Sequence, residues 1–351
     1  MMTQPVTKIC KDYISELNEA IGEIAPENIF ILVDDITREL CLPQTLKSAK
    51  LNGSHVITIP SGDINKNIDS ALIIWKYLSE NNANRKSLLI NLGGGMITDI
   101  GGFVASTFKR GIRYINISTT LLGAVDAATG GKTGINFLGL KNEIGVFAPA
   151  SAVLINIDFF KTLDDKNLRS GFAEMVKHAL IHTREEWNLL MRFNLESINF
   201  EELGALVASS VSIKEKIVEQ DPFEKNIRKA LNLGHTFGHA FESYSYKIEK
   251  PELHGYAVIW GILCELYLSH LKLNFPKEDL LQFKYLIKMY YGTFDFDCSD
   301  YELLFELMTH DKKNESTEIN FTLLSDIGEI KINQSASKEE IFECLDFFAG
   351  C

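Results

Sequence analysis

Long apolar runs are missing from this 351-residue chain, and with them any stretch of the roughly twenty residues that a bilayer-spanning helix needs. The opening MMTQPVTKICKDYISEL is interrupted by charges where a secretory leader would have an apolar centre, so the sequence predicts a cytoplasmic protein without membrane partners. Cysteine is sparse: Cys10, Cys41, Cys264, Cys298, Cys344 and Cys351 show no CxxC spacing, which argues against a disulfide framework and a thiolate zinc site. Positive charge is in the minority, with 35 Lys and Arg against 47 Asp and Glu, and the net charge of -12 disfavours nucleic acid as a partner. No repeat, low-complexity tract or Pro/Gly/Ser-rich linker divides the chain. Its length allows two separate cores, and an apolar fraction of 46% with 23% charged residues is that of a soluble globular protein.

What the chain does have is concentrated between Leu92 and Gly145. The apolar segment Ser87 to Leu92 reads as a buried strand that runs into Gly93, Gly94 and Gly95, where a backbone can turn tightly beside a bulky anion. A helix beginning there turns its free N–H groups toward that ligand, with Asp99 in its first turns. A second short strand, Tyr114 to Ile117, is followed by the hydroxyls of Ser118, Thr119 and Thr120. Beyond it, Lys132 and Lys141-Asn142 place cations on what read as glycine-flanked turns, and Arg110 precedes them. An acidic protein that gathers glycine, lysine, arginine and hydroxyls in one run is built to hold phosphate.

The preceding residues fit that reading. Asn28 to Val33 and Val56 to Ile59 read as strands ending at Asp34 and near Asp63, and Ile64 to Leu78 as an amphipathic helix. Strand alternating with helix predicts a parallel α/β sheet, whose ligands gather at the carboxyl ends of its strands. Asp34 and Asp63 fall there and are candidate ribose contacts, although either could equally cap a helix or shape a turn.

After Ile157 the pattern changes to helical periods, so the expected division is 1–157, an α/β nucleotide-binding domain, and 158–351, a mainly helical domain carrying metal and substrate, with a cleft between them. In the second half Glu174, Lys177 and His178 share one helix face among apolar neighbours, which suits a pocket better than solvent. The run RKALNLGHTFGHAFE reads as a single helix with Arg228, Asn232, His235 and His239 on one stripe, while Gly234 and Gly238 imply that something approaches its backbone closely. The HxxxH pair, Glu174 and His254 offer a borderline-hard donor set suited to Zn²⁺.

These motifs, in this order, resemble the 3-dehydroquinate synthase family over nearly the whole chain: GGGMITDIGGFVASTFKRG, STTLLGAVDAATGGKTGIN, LKNEIG, AEMVKHALI, RKALNLGHTFGHAFE, LHGYAV and HDKKN. The resemblance implies an N-terminal Rossmann-like domain for NAD and a helical C-terminal domain for a divalent metal, Zn²⁺ or Co²⁺. It implies that Glu174, His235 and His254 hold the metal and that His239, a fourth ligand by spacing alone, is an acid/base or substrate contact. NAD would be held by Asp34, Asp63, Lys66, Gly94, Gly95, Asp99, Thr119, Thr120, Lys132 and Lys141. An anionic sugar phosphate would meet Arg110, Asp126, Lys132, Asn142, Lys177, Lys214, Arg228, Asn232 and His239, with Glu224 a proton acceptor and either Lys312 or Lys313 reaching in.

The implied reaction turns 3-deoxy-D-arabino-heptulosonate 7-phosphate into 3-dehydroquinate and phosphate through transient oxidation by NAD, phosphate elimination, re-reduction and aldol cyclisation. A homodimer is also implied. Ser118 stands where proline is usual in the family, Asp63 where glutamate is, and Ile36 at a position often polar. The alternatives are another sugar-phosphate cyclase resembling 2-epi-5-epi-valiolone synthase, a metal-dependent polyol dehydrogenase resembling glycerol dehydrogenase, and a catalytically silent binding protein. The intact set of pocket cations and metal donors speaks against all three.

Overall fold

The computed structural model describes residues 6–128, 130–138, 140–309 and 319–350. These form two compact units, Met1–Asp164 and Asp165–Cys351. The first extends past the expected boundary at residue 157 because Phe159, in the short helix Ile157–Thr162, is fully buried in its core and packs edge-on against Tyr13 at 5.3 Å. No helix among the described residues is long and apolar enough to cross a membrane.

The first unit is built on a six-stranded sheet of β1 (Val6–Ile9), β2 (Ile29–Asp34), β3 (His55–Ile59), β4 (Leu88–Gly93), β5 (Arg113–Ser118) and β8 (Ala152–Ile155). Its order is β1-β8-β5-β4-β2-β3, and every neighbouring pair is parallel. β2 and β4 are buried along their whole length, as strands covered on both faces must be, which is why they read as continuous apolar runs. Asn91 breaks the run in β4, and its amide donates to Asn116 opposite it in β5 at 2.9 Å. From β2 the chain steps outward to β3, whereas from β4 it steps the other way to β5, so the order reverses between the paired strands β2 and β4. Asp34 and Gly93, the last residues of these two strands, therefore flank the place where such sheets bind ligands.

Several elements differ from expectation. The region around Lys132 and Lys141 is an antiparallel hairpin of β6 (Lys132–Phe137) and β7 (Leu140–Phe147), so both lysines lie on strands and not on turns. The segment after Asp63 is a short 3-10 turn, Asp63–Asn65, followed by the helix Ile68–Glu80, with Asn67 capping the latter through Ser70 N–H at 3.1 Å.

The second unit is helical, with one hairpin of β9 (Phe321–Asp326) and β10 (Glu329–Gln334). The helix His254–Leu273 is buried from Gly255 to Leu266 and serves as its central post. The run read as one helix from Arg228 to Glu242 is two elements: a 3-10 helix Ile227–Asn232 and the helix His235–Lys247, separated by Gly234 at φ +81°. No L side chain adopts that backbone easily, and a Cβ there would stand 2.3 Å from Ile262 Cγ1 and 2.8 Å from the Val258 carbonyl oxygen. The expected close approach is thus the helix His254–Leu273, but the single polar stripe does not exist.

Candidate active site

In the first unit, helix Gly95–Thr107 starts directly after β4 with no side chain capping it. Its first N–H groups are left for a ligand or water. Beside them Thr119 is held by its backbone N–H, which donates to the Gly93 carbonyl at 3.0 Å, while its buried hydroxyl has no hydrogen-bond partner among the described residues. Thr120 Oγ1 accepts from Gly123 N–H at 3.0 Å. An orphaned hydroxyl beside an uncapped helix start at a strand-order reversal suits a dinucleotide's phosphates.

Around this point the charged residues form one network. Lys66, 5% exposed, lies 3.0 Å from Asp99 and 3.4 Å from Asp63, and Lys141 lies 3.3 Å from Asp63. Burial opposes the charge on Lys66, yet Asp99 and Asp63 outweigh it and raise its pKa. Burial likewise works against Asp63, but Lys66 and Lys141 hold its carboxyl below the usual range. Asp99 shows the opposite balance: burial wins over Lys66 and its pKa rises.

Asp34 caps the helix Asp35–Leu40, accepting from Thr37 N–H at 2.6 Å in a capping box, so one of its oxygens is engaged in shaping the turn. Asp126 lies half-buried on the turn Gly123–Ala127 and adds to the raising of Asp99. Lys132 and Asn142 are exposed on the hairpin. Arg110 is not brought to the glycine turn: it follows the far end of helix Gly95–Thr107, about 20 Å of helix away.

In the second unit, helix Asp165–Leu180 carries Glu174 and Lys177, both fully buried and ion-paired with one another, and His178, whose Nδ1 meets Ser210 Oγ at 2.7 Å. Glu174 Oε1 has no hydrogen-bond partner among the described residues, and it lies 3.7 Å from both His235 Nε2 and His254 Nε2. The three donor atoms all fall within 4.8 Å of one another. Donors around a tetrahedral ion with bonds of about 2.1 Å stand about 3.4 Å apart, so the trio suits a divalent cation.

The tautomers suit one as well. His235 Nδ1 faces the Leu233 carbonyl at 3.2 Å and His254 Nδ1 faces Glu242 Oε2 at 3.3 Å. Both partners are acceptors, so each Nδ1 carries the proton and each Nε2 keeps its lone pair for Glu174's neighbourhood. His239 stands outside the trio with its ring 5.3 Å from that of His235 and 6.1 Å from that of His254. Asn232 donates to Glu224 Oε1 at 2.8 Å, and Arg228, 3% exposed, donates to the Pro222 carbonyl at 2.7 Å. Lys214 is buried on helix Phe200–Gln220. Lys312 and Lys313 lie outside the described residues.

Two buried acids of this unit carried no signal that the sequence reading used: Glu242, against His254, and Glu265, whose carboxylate accepts from Gly234 N–H at 2.7 Å and Thr236 N–H at 3.2 Å. Glu242 closes the run GHTFGHAFE three residues after His239, and that spacing could have marked it.

Comparison with known proteins places these units. Residues 56–170 match the family model for the 3-dehydroquinate synthase N-terminal region and residues 171–314 that for the C-terminal region. A 3-dehydroquinate synthase of Parabacteroides distasonis is 53% identical over 347 residues, 99% of this chain and 98% of the relative. Among solved structures, 2-epi-5-epi-valiolone synthase from Streptomyces hygroscopicus, with NAD⁺ and Zn²⁺ bound, covers 100% of this chain and 98% of its own at a TM-score of 0.88 and 23% identity. A 2-deoxy-scyllo-inosose synthase complexed with carbaglucose-6-phosphate, NAD⁺ and Co²⁺ covers 99% of this chain and 100% of its own at a TM-score of 0.85 and 19% identity. The two structures establish the shared α/β-plus-helical fold. The identity with the Parabacteroides protein, sustained over almost all of both chains, goes further: this chain belongs to the 3-dehydroquinate synthase family.

Proposed function

We propose that this chain performs the reaction of its family, converting 3-deoxy-D-arabino-heptulosonate 7-phosphate to 3-dehydroquinate and phosphate, with NAD⁺ on the first unit and Zn²⁺ or Co²⁺ on the second. The observation that carries the proposal is the Glu174-His235-His254 trio, a buried carboxylate oxygen that has no hydrogen bond among the described residues and lies 3.7 Å from two imidazole Nε2 atoms. Held there, NAD⁺ would supply reversible hydride acceptance and the cation a Lewis acid for a substrate oxygen.

The chain's own residues supply binding, orientation and proton handling. The N–H groups at the start of helix Gly95–Thr107, with Gly94, Gly95, Thr119 and Thr120, would take the pyrophosphate, and Asp34, Asp63, Lys66 and Asp99 the ribose hydroxyls and their surroundings. Lys132, Lys141, Asn142, Lys214 and Arg228 would meet the substrate's phosphate and carboxylate, the charge pattern expected when a protein of net charge -12 must bind an anion. Lys177 pairs with the buried Glu174 and would balance its charge whenever the cation is not bound. His239, whose ring lies 5.3 Å from that of His235 and outside the trio, would hold or pass a substrate proton. Glu224 orients the Asn232 amide and is the second proton acceptor. A cytoplasmic homodimer completes the reading.

The test is phosphate release from 3-deoxy-D-arabino-heptulosonate 7-phosphate by metal-stripped protein, with and without Zn²⁺ and a sub-stoichiometric amount of NAD⁺. Many turnovers that need both additions, with no NADH accumulating, are expected. NADH formed in step with substrate consumed, or no phosphate released, overturns the assignment.

A further inference from the structure

Asn136 belongs to none of the residue sets above, yet four hydrogen bonds converge on it. Its backbone N–H donates to the Lys66 carbonyl at 2.7 Å. Its side-chain Nδ2 donates to the Asp63 carbonyl oxygen at 3.0 Å and to the Asp63 carboxylate at 3.2 Å. Its Oδ1 accepts from the backbone N–H of Asn142 at 3.0 Å. The orientation of the amide follows from these partners, since two acceptors face one end and a donor faces the other.

The reason lies in the hairpin. The pairing of β6 with β7 runs regularly as far as Ile135 and Ile144, and then its register shifts before Phe137 meets Leu140. Asn136 sits at that irregularity, where it alone spans the gap between the two pairs on β6 while Lys141, Asn142 and Glu143 span it on β7, so the surplus residues of β7 interrupt the ladder opposite it. The backbone of Asn136 pairs with the end of the Asp63–Asn65 turn, and its side chain replaces the missing ladder bond to Asn142. Asn142 has φ +50°, a backbone that asparagine tolerates better than most residues but that still needs support from its surroundings.

We infer that Asn136 is a positioning residue that fixes the cofactor-side carboxylate of Asp63 and the substrate-side Asn142 relative to one another. The inference rests on the proposed roles of Asp63 and Asn142. One amide thus holds the two ligand-binding edges of the first unit in a single register, through different atoms: Nδ2 serves Asp63 and Oδ1 serves Asn142.

That division of atoms makes the inference testable. Asn136→Asp keeps the acceptor facing Asn142 and replaces the donor facing Asp63 by an oxygen. It should raise the Kd for NAD⁺, measured by calorimetric titration of the full chain, about tenfold while leaving the substrate KM at saturating NAD⁺ within about twofold. Asn136→Ala removes both limbs and should raise both constants about tenfold, with circular dichroism checking the fold. Equal weakening of both constants in Asn136→Asp would mean a general loosening and overturns the inference, as does an unchanged Kd for NAD⁺. If Asn136→Ala does not fold, the Asp variant decides alone. Asp63→Ala and Asn142→Ala are measured in parallel: should the first leave NAD⁺ binding and the second leave KM unchanged, the underlying roles fail, and with them the basis for the hub.

Discussion

Glu242 carries a carboxylate into a place where only 4% of the residue meets solvent, and what it meets there is the Nδ1 of His254. A buried acid is tolerated only against a compensating donor, and here the pairing also selects which imidazole nitrogen is left for Glu174. Glu242→Ala should therefore lower Zn²⁺ affinity about ten- to a hundredfold in a chelator-competition titration, with Glu242→Gln intermediate because its amide oxygen can still accept. Unchanged affinity in the Ala variant would show that His254 is oriented by its helix alone. The candidate metal donors were legible only in part: the HxxxH pair and an acid on an apolar helix face pointed to Glu174, His235 and His254, but spacing alone also made His239 a ligand, and it stands outside the trio. Glu242 and Asn136 were not legible, because their roles depend on neighbours twelve and seventy-three residues away along the chain. Asp34 was legible only as a choice between ligand contact and cap, and the side chain does cap.

At the scale of elements, β2, β4 and β5 stood out as apolar runs because both their faces are covered. β1 and the β6–β7 hairpin did not, since β1 is partly exposed and β7 exposed throughout, and neither shows an unbroken apolar run. The helix over Arg228–Glu242 was misread for a related reason. A 3.6-residue period continues smoothly through Gly234, but the break there depends on another helix, which presses against Gly234 at φ +81° and whose buried Glu265 accepts from its N–H. Glu265 gives the helix His235–Lys247 the N-terminal acceptor that its own residues do not provide, with a negative charge at the positive end of the dipole. Glu265→Ala leaves two buried N–H groups without that acceptor and should cost about 3 kcal/mol of unfolding free energy in urea titration. Because His235 is the first residue of that helix, metal affinity should fall in the same variant. A loss under about 0.5 kcal/mol would mean that water replaces the carboxylate without penalty.

At the scale of the whole molecule, the residues proposed for the cofactor sit on Met1–Asp164 and those proposed for the metal on Asp165–Cys351, so the two ligands should report on different compact units. A ligand that binds only the folded state adds about 2.7 kcal/mol at a hundred times its Kd. The temperature shift this produces depends on how much chain melts with it. At about 2.1 cal/mol/K for each residue, cooperative unfolding of all 351 residues carries about 0.7 kcal/mol/K, and the midpoint should rise about 4 °C. Melting of the first unit alone carries about half that entropy and should give about 8 °C. Differential scanning calorimetry with NAD⁺ should fall at one of these values, and chelation of the metal should lower the transition that contains Glu174, His235 and His254. The pair of shifts separates the two assignments: NAD⁺ without effect removes the cofactor from the first unit, whereas a chelator without effect removes the cation from the second, and neither result depends on the catalysed reaction.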